Sequence, residues 1–181
     1  MKERLNLLAK AMQRGDFTVF PEVYEQTRKP VFFMIFNILH DRALSEDIMQ
    51  DAYMKMIESM PNYQNRNFLS FMLTIAKNMA INEFNRRKKT TYTDLDIDLF
   101  APVDLMNLLE GDVVKKEMVQ EALKALTEIE RSIFLLYNLE ELTHREIAQI
   151  LDKPLGTITW MYQKALSKLR HTLKEVFDET P

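Results

Sequence analysis

The sequence predicts an all-α fold, arranged as two small helical domains joined by an acidic linker. Three observations predict it. Only three glycines occur in 181 residues and β-branched runs are few, which favours helices over sheets. Apolar residues recur at helical spacing along most of the chain. The net charge of -3 is unevenly spread: residues 1–93 hold 14 Lys and Arg against 10 Asp and Glu, residues 94–114 none against 6, and residues 115–181 10 against 11. A cationic first half is thus set apart by an acidic segment, and the division expected is 1–90, 91–112 and 113–177.

Hydrophobic content of 46% with 28% charged residues is that of a folded protein. The absence of cysteine excludes a disulfide framework or a thiolate metal site and fits a reducing, cytoplasmic setting. Val31 to Leu39, interrupted by Asn37, is too short an apolar run to insert across a membrane. Met1 to Lys10 has no apolar core of the kind a secretory signal carries.

Leu5, Leu8, Ala9 and Met12 share one helical face, and Gly15-Asp16 ends that helix. Phe17, Phe20, Val23, Tyr24 and Thr27 continue a helical pattern up to Pro30. Val31, Phe32, Ile35, Phe36 and Leu39 form a further stripe, read as core rather than as a base-stacking platform because large apolar side chains stabilise mainly by burial. Between His40 and Ile57, Leu44, Ile48, Ala52 and Met56 make an inward seam, while Glu46, Asp47, Gln50, Asp51, Met54 and Lys55 project outward. Asp47 and Asp51 lie one turn apart. By residue type they form a solvated acidic face, since paired-acid glycosidase chemistry needs a cleft that nothing here marks.

Pro61 to Asn67 is a polar loop by composition. From Phe68 a long helix is expected to bury Phe68, Met72, Ile75, Ala76 and Met79, and it runs into Asn85-Arg86-Arg87-Lys88-Lys89. Four consecutive cations exceed what a helix dipole takes up and lean towards nucleic-acid phosphate. Asn78 and Asn82 share a face one turn apart. Asparagine is a poor helix former carrying both donor and acceptor, so on an exposed face it is either an ordinary surface amide or a reader of unstacked base edges.

Thr90 to Gly111 interleaves Asp94, Asp96, Asp98, Asp104 and Glu110 with Leu95, Ile97, Leu99 and Phe100 around Pro102, and is read as a linker without stable structure of its own. From Val113 a helix carries Val114, Met118, Ala122, Leu123 and Leu126 on one side. Thr127 with Glu130 is a capping box opening Glu128 to Leu139, where Ile133, Phe134, Leu136 and Tyr137 follow. Thr143 with Glu146 repeats the device, with Leu142 and Ile147 fitting the accompanying hydrophobic staple. Ile147, Ala148, Ile150 and Leu151 give that short helix an apolar side, and Asp152-Lys153-Pro154 interrupts it.

The last helix starts near Pro154. Its inward face reads Ile158, Tyr162, Ala165, Leu166, Leu169 and Leu173; its outward face reads Thr157, Thr159, Trp160, Gln163, Lys164, Ser167 and Lys168. A short helix packed across a longer one with a polar, partly cationic outer face is the geometry that enters a DNA major groove; a helical hairpin in an ordinary bundle shares the pattern.

Leu142-Thr-His-Arg-Glu-Ile-Ala148 followed by Pro154-Leu-Gly-Thr-Ile158 resembles region 4 of bacterial RNA polymerase sigma factors of the extracytoplasmic-function group. Asp41-Arg42, Asp47-Ile48, Gln50-Asp51 and Tyr53 are similar to region 2.2 of the same group, and Phe68-Leu-Ser-Phe-Met-Leu-Thr-Ile-Ala-Lys-Asn78 to regions 2.3 and 2.4. The resemblance covers about residues 15–89 and 113–173. It implies a region 2 bundle in 1–90, a region 4 helix-turn-helix in 113–177, and promoter-specific initiation with core RNA polymerase and promoter DNA as partners. Asp47, Gln50 and Asp51 then match positions that dock on the polymerase clamp helices. Asn78 and Asn82 match positions that meet the non-template strand of the minus-ten element, with Arg86, Arg87 and Lys88 on its phosphates and the loop at 62–67 where a flipped base is captured. Thr157, Thr159, Trp160, Gln163 and Lys164 fall where the minus-thirty-five duplex is read.

Several positions depart from the family pattern. Asp51 stands for the commoner glutamate, Phe71 for tryptophan, Met72 for leucine, and Thr127 for a frequent proline. Thr159, Trp160 and Met161 replace lysine, serine and arginine, which implies promoter contact that is less electrostatic or differently selective. The acidic linker matches one that threads the RNA exit path, a solvated tether being the competing account. Members of the group are commonly held by an anti-sigma protein, and an outward Trp160 and Met161 suit such a partner; burial through a rotated helix is the other reading.

His40, His144 and His171 are too far apart for a local ligand motif and no Gly-rich phosphate loop occurs, so neither metal nor cofactor is expected and catalysis would belong to the polymerase. Two other classes compete. An autonomous helix-turn-helix regulator acting without core polymerase would bind a palindromic duplex tightly by itself. A pure interaction module would tolerate charge reversal across Arg86 to Lys89.

Overall fold

Helices and short turns make up the described residues of the computed structural model, 2–64, 67–90 and 122–178, with side chains described except at 88–90 and 173–178. The chain divides into two units, Met1–Ala101 and Pro102–Pro181. Residues 91–121, which hold most of the expected linker and the helix expected from Val113, lie outside the described residues, as do residues 65 and 66 of the expected base-capturing loop.

The first unit contains α1 (Lys2–Gln13), α2 (Phe20–Leu39), α3 (Arg42–Ser59) and α4 (Phe68–Thr90), with single 3-10 turns at Phe17–Val19 and Met60–Asn62. Helices α2, α3 and α4 pack on one another, and α1 lies against α2 and α4. Polar side chains start α3 and α4, whereas Val19 ahead of α2 makes no side-chain cap. Asp41 caps α3 by accepting from the Leu44 amide at 3.1 Å. Asn67 accepts from the Leu69 amide at 3.1 Å, while Asn6 of α1 accepts from the Phe68 amide at 2.9 Å. The first turn of α4, with its orphan donors, is therefore anchored by α1. Tyr63 is buried just before it and takes a hydrogen bond on its carbonyl from Gln13 at 2.6 Å.

Four expectations for this unit are corrected. Pro30 does not separate two helices: α2 runs unbroken from Phe20 to Leu39 with Pro30 buried inside it. A proline in a helix interior costs about 3 kcal/mol, and the apolar packing of α2 on both α3 and α4 outweighs it. That double packing widens the buried arc of α2, so Phe33, Met34 and Ile38 are buried with Val31 and Ile35. Phe32 and Phe36 are only half-buried and stack on each other, centroids 5.7 Å apart. In α3 the seam is Ser45, Ala52, Tyr53 and Met56, with Leu44 and Ile48 half-buried. The Tyr53 hydroxyl meets Thr27 Oγ1 at 2.7 Å inside the core, which turns that side of α3 inward. In α4 the interior holds Leu69, Leu73 and Ala80 with Phe68, Met72 and Ala76, and Ile75 and Met79 are half-buried, because α4 meets three helices rather than one.

In the second unit, residues 122–124 are helical and precede α5 (Glu128–Asn138), α6 (His144–Leu151) and α7 (Leu155–Asp178). Both capping boxes are present: Thr127 and Thr143 each accept from the amide three residues on, and Glu130 and Glu146 reach back. Leu142 and Ile147 are buried as a staple requires. α6 ends at Asp152 in a left-handed conformation, φ 53°, and Lys153 donates from its amide to the Ala148 carbonyl at 3.0 Å. α7 packs on α5 and α6 through Ile158, Tyr162, Ala165 and Leu169, with Leu166 half-buried. Burial of such side chains at about 25 cal/mol per Å² is what holds so short a helix as α6 in place.

Candidate nucleic-acid and partner interfaces

On α3 the core seam leaves Asp47, Gln50 and Asp51 exposed, one turn or less apart, with no hydrogen-bond or ion-pair partner among the described residues. The charges around them are already matched: Arg42 pairs with Glu46 at 3.2 Å and Lys55 with Glu58 at 3.1 Å. Met54, 61% exposed, extends the patch. An acid–amide–acid surface beside an exposed thioether suits a cationic, partly apolar partner.

On α4, Asn78 and Asn82 are exposed on one face, as is Asn85, which lies seven residues beyond Asn78 and returns to the same side. The basic end is not a bare cluster of cations. Glu83, only 9% exposed, takes a bidentate hydrogen bond from Arg86, Nε at 2.7 Å and Nη2 at 2.7 Å, and another from Arg87 Nε at 3.1 Å. Arg87 Nη1 lies 3.4 Å from Asp41 Oδ2 at the head of α3. The Arg86 guanidinium, followed by Arg87, holds the Glu83 carboxyl below its ordinary value; for Asp41 the Leu44 amide does most of this, with Arg87 assisting. The side chain of Lys88 lies outside the described residues.

On α7, Thr159, Trp160, Gln163 and Lys164 are exposed and Thr157 is half-buried. Trp160 is 58% exposed, so the indole points away from the core, while Met161 is half-buried. Thr159 Oγ1 donates to the Leu155 carbonyl at 3.0 Å and sits 3.3 Å from His144 Nδ1, which fixes its rotamer against α6. Lys164, though exposed, has its charge partly matched. Its ammonium is 3.6 Å from Glu130 and 5.0 Å from the centre of the Trp160 ring, a cation–π contact. Lys168, expected outward, is half-buried and donates to Glu130 at 2.5 Å.

Glu83 and Glu130 were not among the candidates. Glu83 lies three and four residues before two arginines, a spacing legible in the chain; the phosphate reading of the cluster passed over it. Glu130 was legible only as a capping residue, because its second partner, Lys168, is 38 residues away.

Residues 23–90 match the family model for sigma-70 region 2, and residues 116–169 the model for sigma-70 region 4. The chain is 23% identical over 178 residues to the extracytoplasmic-function RNA polymerase sigma factor SigW of Bacillus subtilis, covering 92% of this chain and 95% of that one. It is 27% identical over 176 residues to SigK of Mycobacterium ulcerans, a sigma factor of the same group, covering 93% of each. Among solved structures, the sigma factor RpoE in complex with the anti-sigma factor NepR from Bartonella quintana has the same fold, with a TM-score of 0.57 at 17% identity over 86% of this chain and 96% of that one. CnrH in complex with the cytosolic domain of CnrY also shares it, with a TM-score of 0.57 at 14% identity over 94% and 97%. A region 2 match in the first half is not a feature of an autonomous helix-turn-helix regulator, and that class is not favoured.

Proposed function

Because this chain belongs to the sigma-70 family of RNA polymerase sigma factors, in its extracytoplasmic-function group, and directs transcription initiation with core RNA polymerase, we propose a division of that work: α3 docks on the polymerase, α4 holds the opened minus-ten strand, and α7 reads the minus-thirty-five duplex. The domains are 1–90 and 113–177, tethered by 91–112.

Asp47, Gln50 and Asp51 make the polymerase contact through carboxylates and an amide that meet cationic and polar groups on the partner. Asn78 and Asn82 offer a donor and an acceptor each to bases whose edges are open once the strand is unstacked. Arg86, Arg87 and Lys88 meet its phosphates. Thr157, Thr159, Gln163 and Lys164 meet the major groove, where Trp160 adds an apolar face of the kind that packs on a thymine methyl. Catalysis stays with the polymerase, and the chain acts in the cytoplasm beside it. An anti-sigma protein holds the chain inactive, with the exposed Trp160 in its contact surface.

The observation that carries this assignment is the exposure of Asp47, Gln50, Asp51, Asn78, Asn82 and Trp160 on helices whose opposite faces form the two cores. Run-off transcription with purified core polymerase on a pool of genomic promoter fragments tests it. The expected result is transcripts from a small promoter set, lost when Asn78 and Asn82 are both changed to Ala; transcripts unaffected by that change contradict the assignment.

A further inference from the structure

The basic end of α4 carries its own counter-charges, and we infer that Glu83, with Asp41, is a specificity-determining residue that restrains sequence-independent strand binding. The inference rests on the reading of Arg86 and Arg87 as phosphate contacts.

Both arginines are already engaged on their Nε edges. Arg86 gives Nε and Nη2 to Glu83, and Arg87 gives Nε to Glu83 and approaches Asp41 with Nη1. Across these four side chains the formal charge is zero. A strand phosphate reaching them must either displace a carboxylate held at 2.7 Å or sit beside it and be repelled. Either way, contact with phosphate alone releases fewer counterions than two unencumbered arginines would. Glu83 is covered by the two arginine side chains that it holds, so a phosphate that reaches either guanidinium meets the carboxylate as well. Base contacts by Asn78 and Asn82, on the exposed face of the same helix, carry no such penalty. Matched and unmatched strands lose the same phosphate contribution, but only a matched strand retains the base contacts that keep it bound, so the repulsive element suppresses binding to strands held by phosphate alone.

Binding of the full-length chain to a fluorescent, random-sequence single-stranded DNA, followed by anisotropy across a KCl series, tests this. Glu83→Gln keeps an acceptor oxygen and the side-chain volume while removing the charge. It is expected to tighten random-strand binding about threefold at low salt and to steepen the slope of log K against log salt by about 0.7 for each arginine released. Asp41→Asn retains a competent N-cap and is expected to give a smaller change in the same direction, through Arg87 alone. A purely structural Glu83 predicts weaker binding with an unchanged or shallower slope in both variants, and that result overturns the inference. Arg86→Ala with Arg87→Ala separates the two levels. If the pair weakens strand binding while Glu83→Gln leaves the slope alone, only the restraint is wrong; if the pair leaves strand binding unchanged, the assignment of this helix end falls, and the restraint with it.

Discussion

The two units solve the same problem with charges placed differently. In the first, Glu83 stands at the rim of the bundle and its partners are local, three and four residues on, with Asp41 reaching Arg87 from α3. In the second, Glu130 is 2% exposed and its partner Lys168 arrives from another helix. The rim network is a surface device, weak in stabilising terms and sensitive to salt. The buried one joins the capping box of α5 to α7, and losing Lys168 leaves the 2% exposed Glu130 with only the longer Lys164 contact at 3.6 Å. The first unit can therefore spend its ion pairs on tuning contact with a strand, whereas the second depends on its own for the position of the reading helix.

The sharpest way to break this contrast is to damage one unit and watch the other. Leu136→Ala, at a fully buried site of α5, is expected to cost about 3 to 4 kcal/mol. In thermal unfolding followed with binding assays, duplex recognition is lost while core-polymerase binding persists. Loss of both functions together contradicts separate units. Next in size, Asn78→Ala with Asn82→Ala is expected to weaken binding of a minus-ten strand by about 2 to 3 kcal/mol with no change in melting temperature, since both side chains are exposed.

The pH response separates the units further. Half-buried Glu140 has a carboxyl oxygen with no hydrogen-bond partner, and burial, with Glu141 alongside, pushes its carboxyl up to about 7. The stability it allows is complete below the ordinary carboxylate value of 4.5 and is lost as pH rises through about 7. Burial would raise Glu130 too, but hydrogen bonds from Lys168 and Thr127 prevail and lower it, so its contribution is lost as pH falls below 4.5. The second unit should be most stable in mildly acidic solution, and Glu140→Gln should recover roughly 2 kcal/mol at pH 8. Glu83, Asp41 and Glu22 are all lowered, so the first unit loses their contribution as pH falls below 4.5, and burial of the Tyr53 and Tyr63 hydroxyls defers its alkaline loss to pH well above the range in which Glu140 acts. Denaturant unfolding across pH checks this, and an identical alkaline loss in the Gln variant refutes the role of Glu140. The smallest effect belongs to Thr143→Ala, expected to cost about 1 kcal/mol through the α6 cap, read as a lower midpoint for the second unit alone.

The second unit was the more legible in the sequence, and the reason is local chemistry. Thr127, Glu130, Thr143 and Glu146 specify helix starts within four residues, and Leu142 with Ile147 fixes the entry angle. The first unit depends on contacts distant in sequence. Nothing near Pro30 announces that α2, packed on α3 and α4, will continue across it, and nothing near Phe68 announces that Asn6 will accept from its amide. Exposure of Asp47, Gln50, Asp51, Asn78 and Asn82 follows from helical periodicity alone. The masking of Arg86, Arg87 and Lys164 by carboxylates does not, because periodicity places a side chain on a face without saying what else reaches it.

The division of labour is tested most directly by one titration: a promoter fragment recovered from the run-off pool, bound by the full chain with and without core polymerase, for the native sequence and for the triple change Asp47→Ala, Gln50→Ala and Asp51→Ala. Tight binding is expected only with core polymerase present, with at least a tenfold loss, about 1.4 kcal/mol, in the triple variant. Equal affinity with the three side chains removed contradicts it.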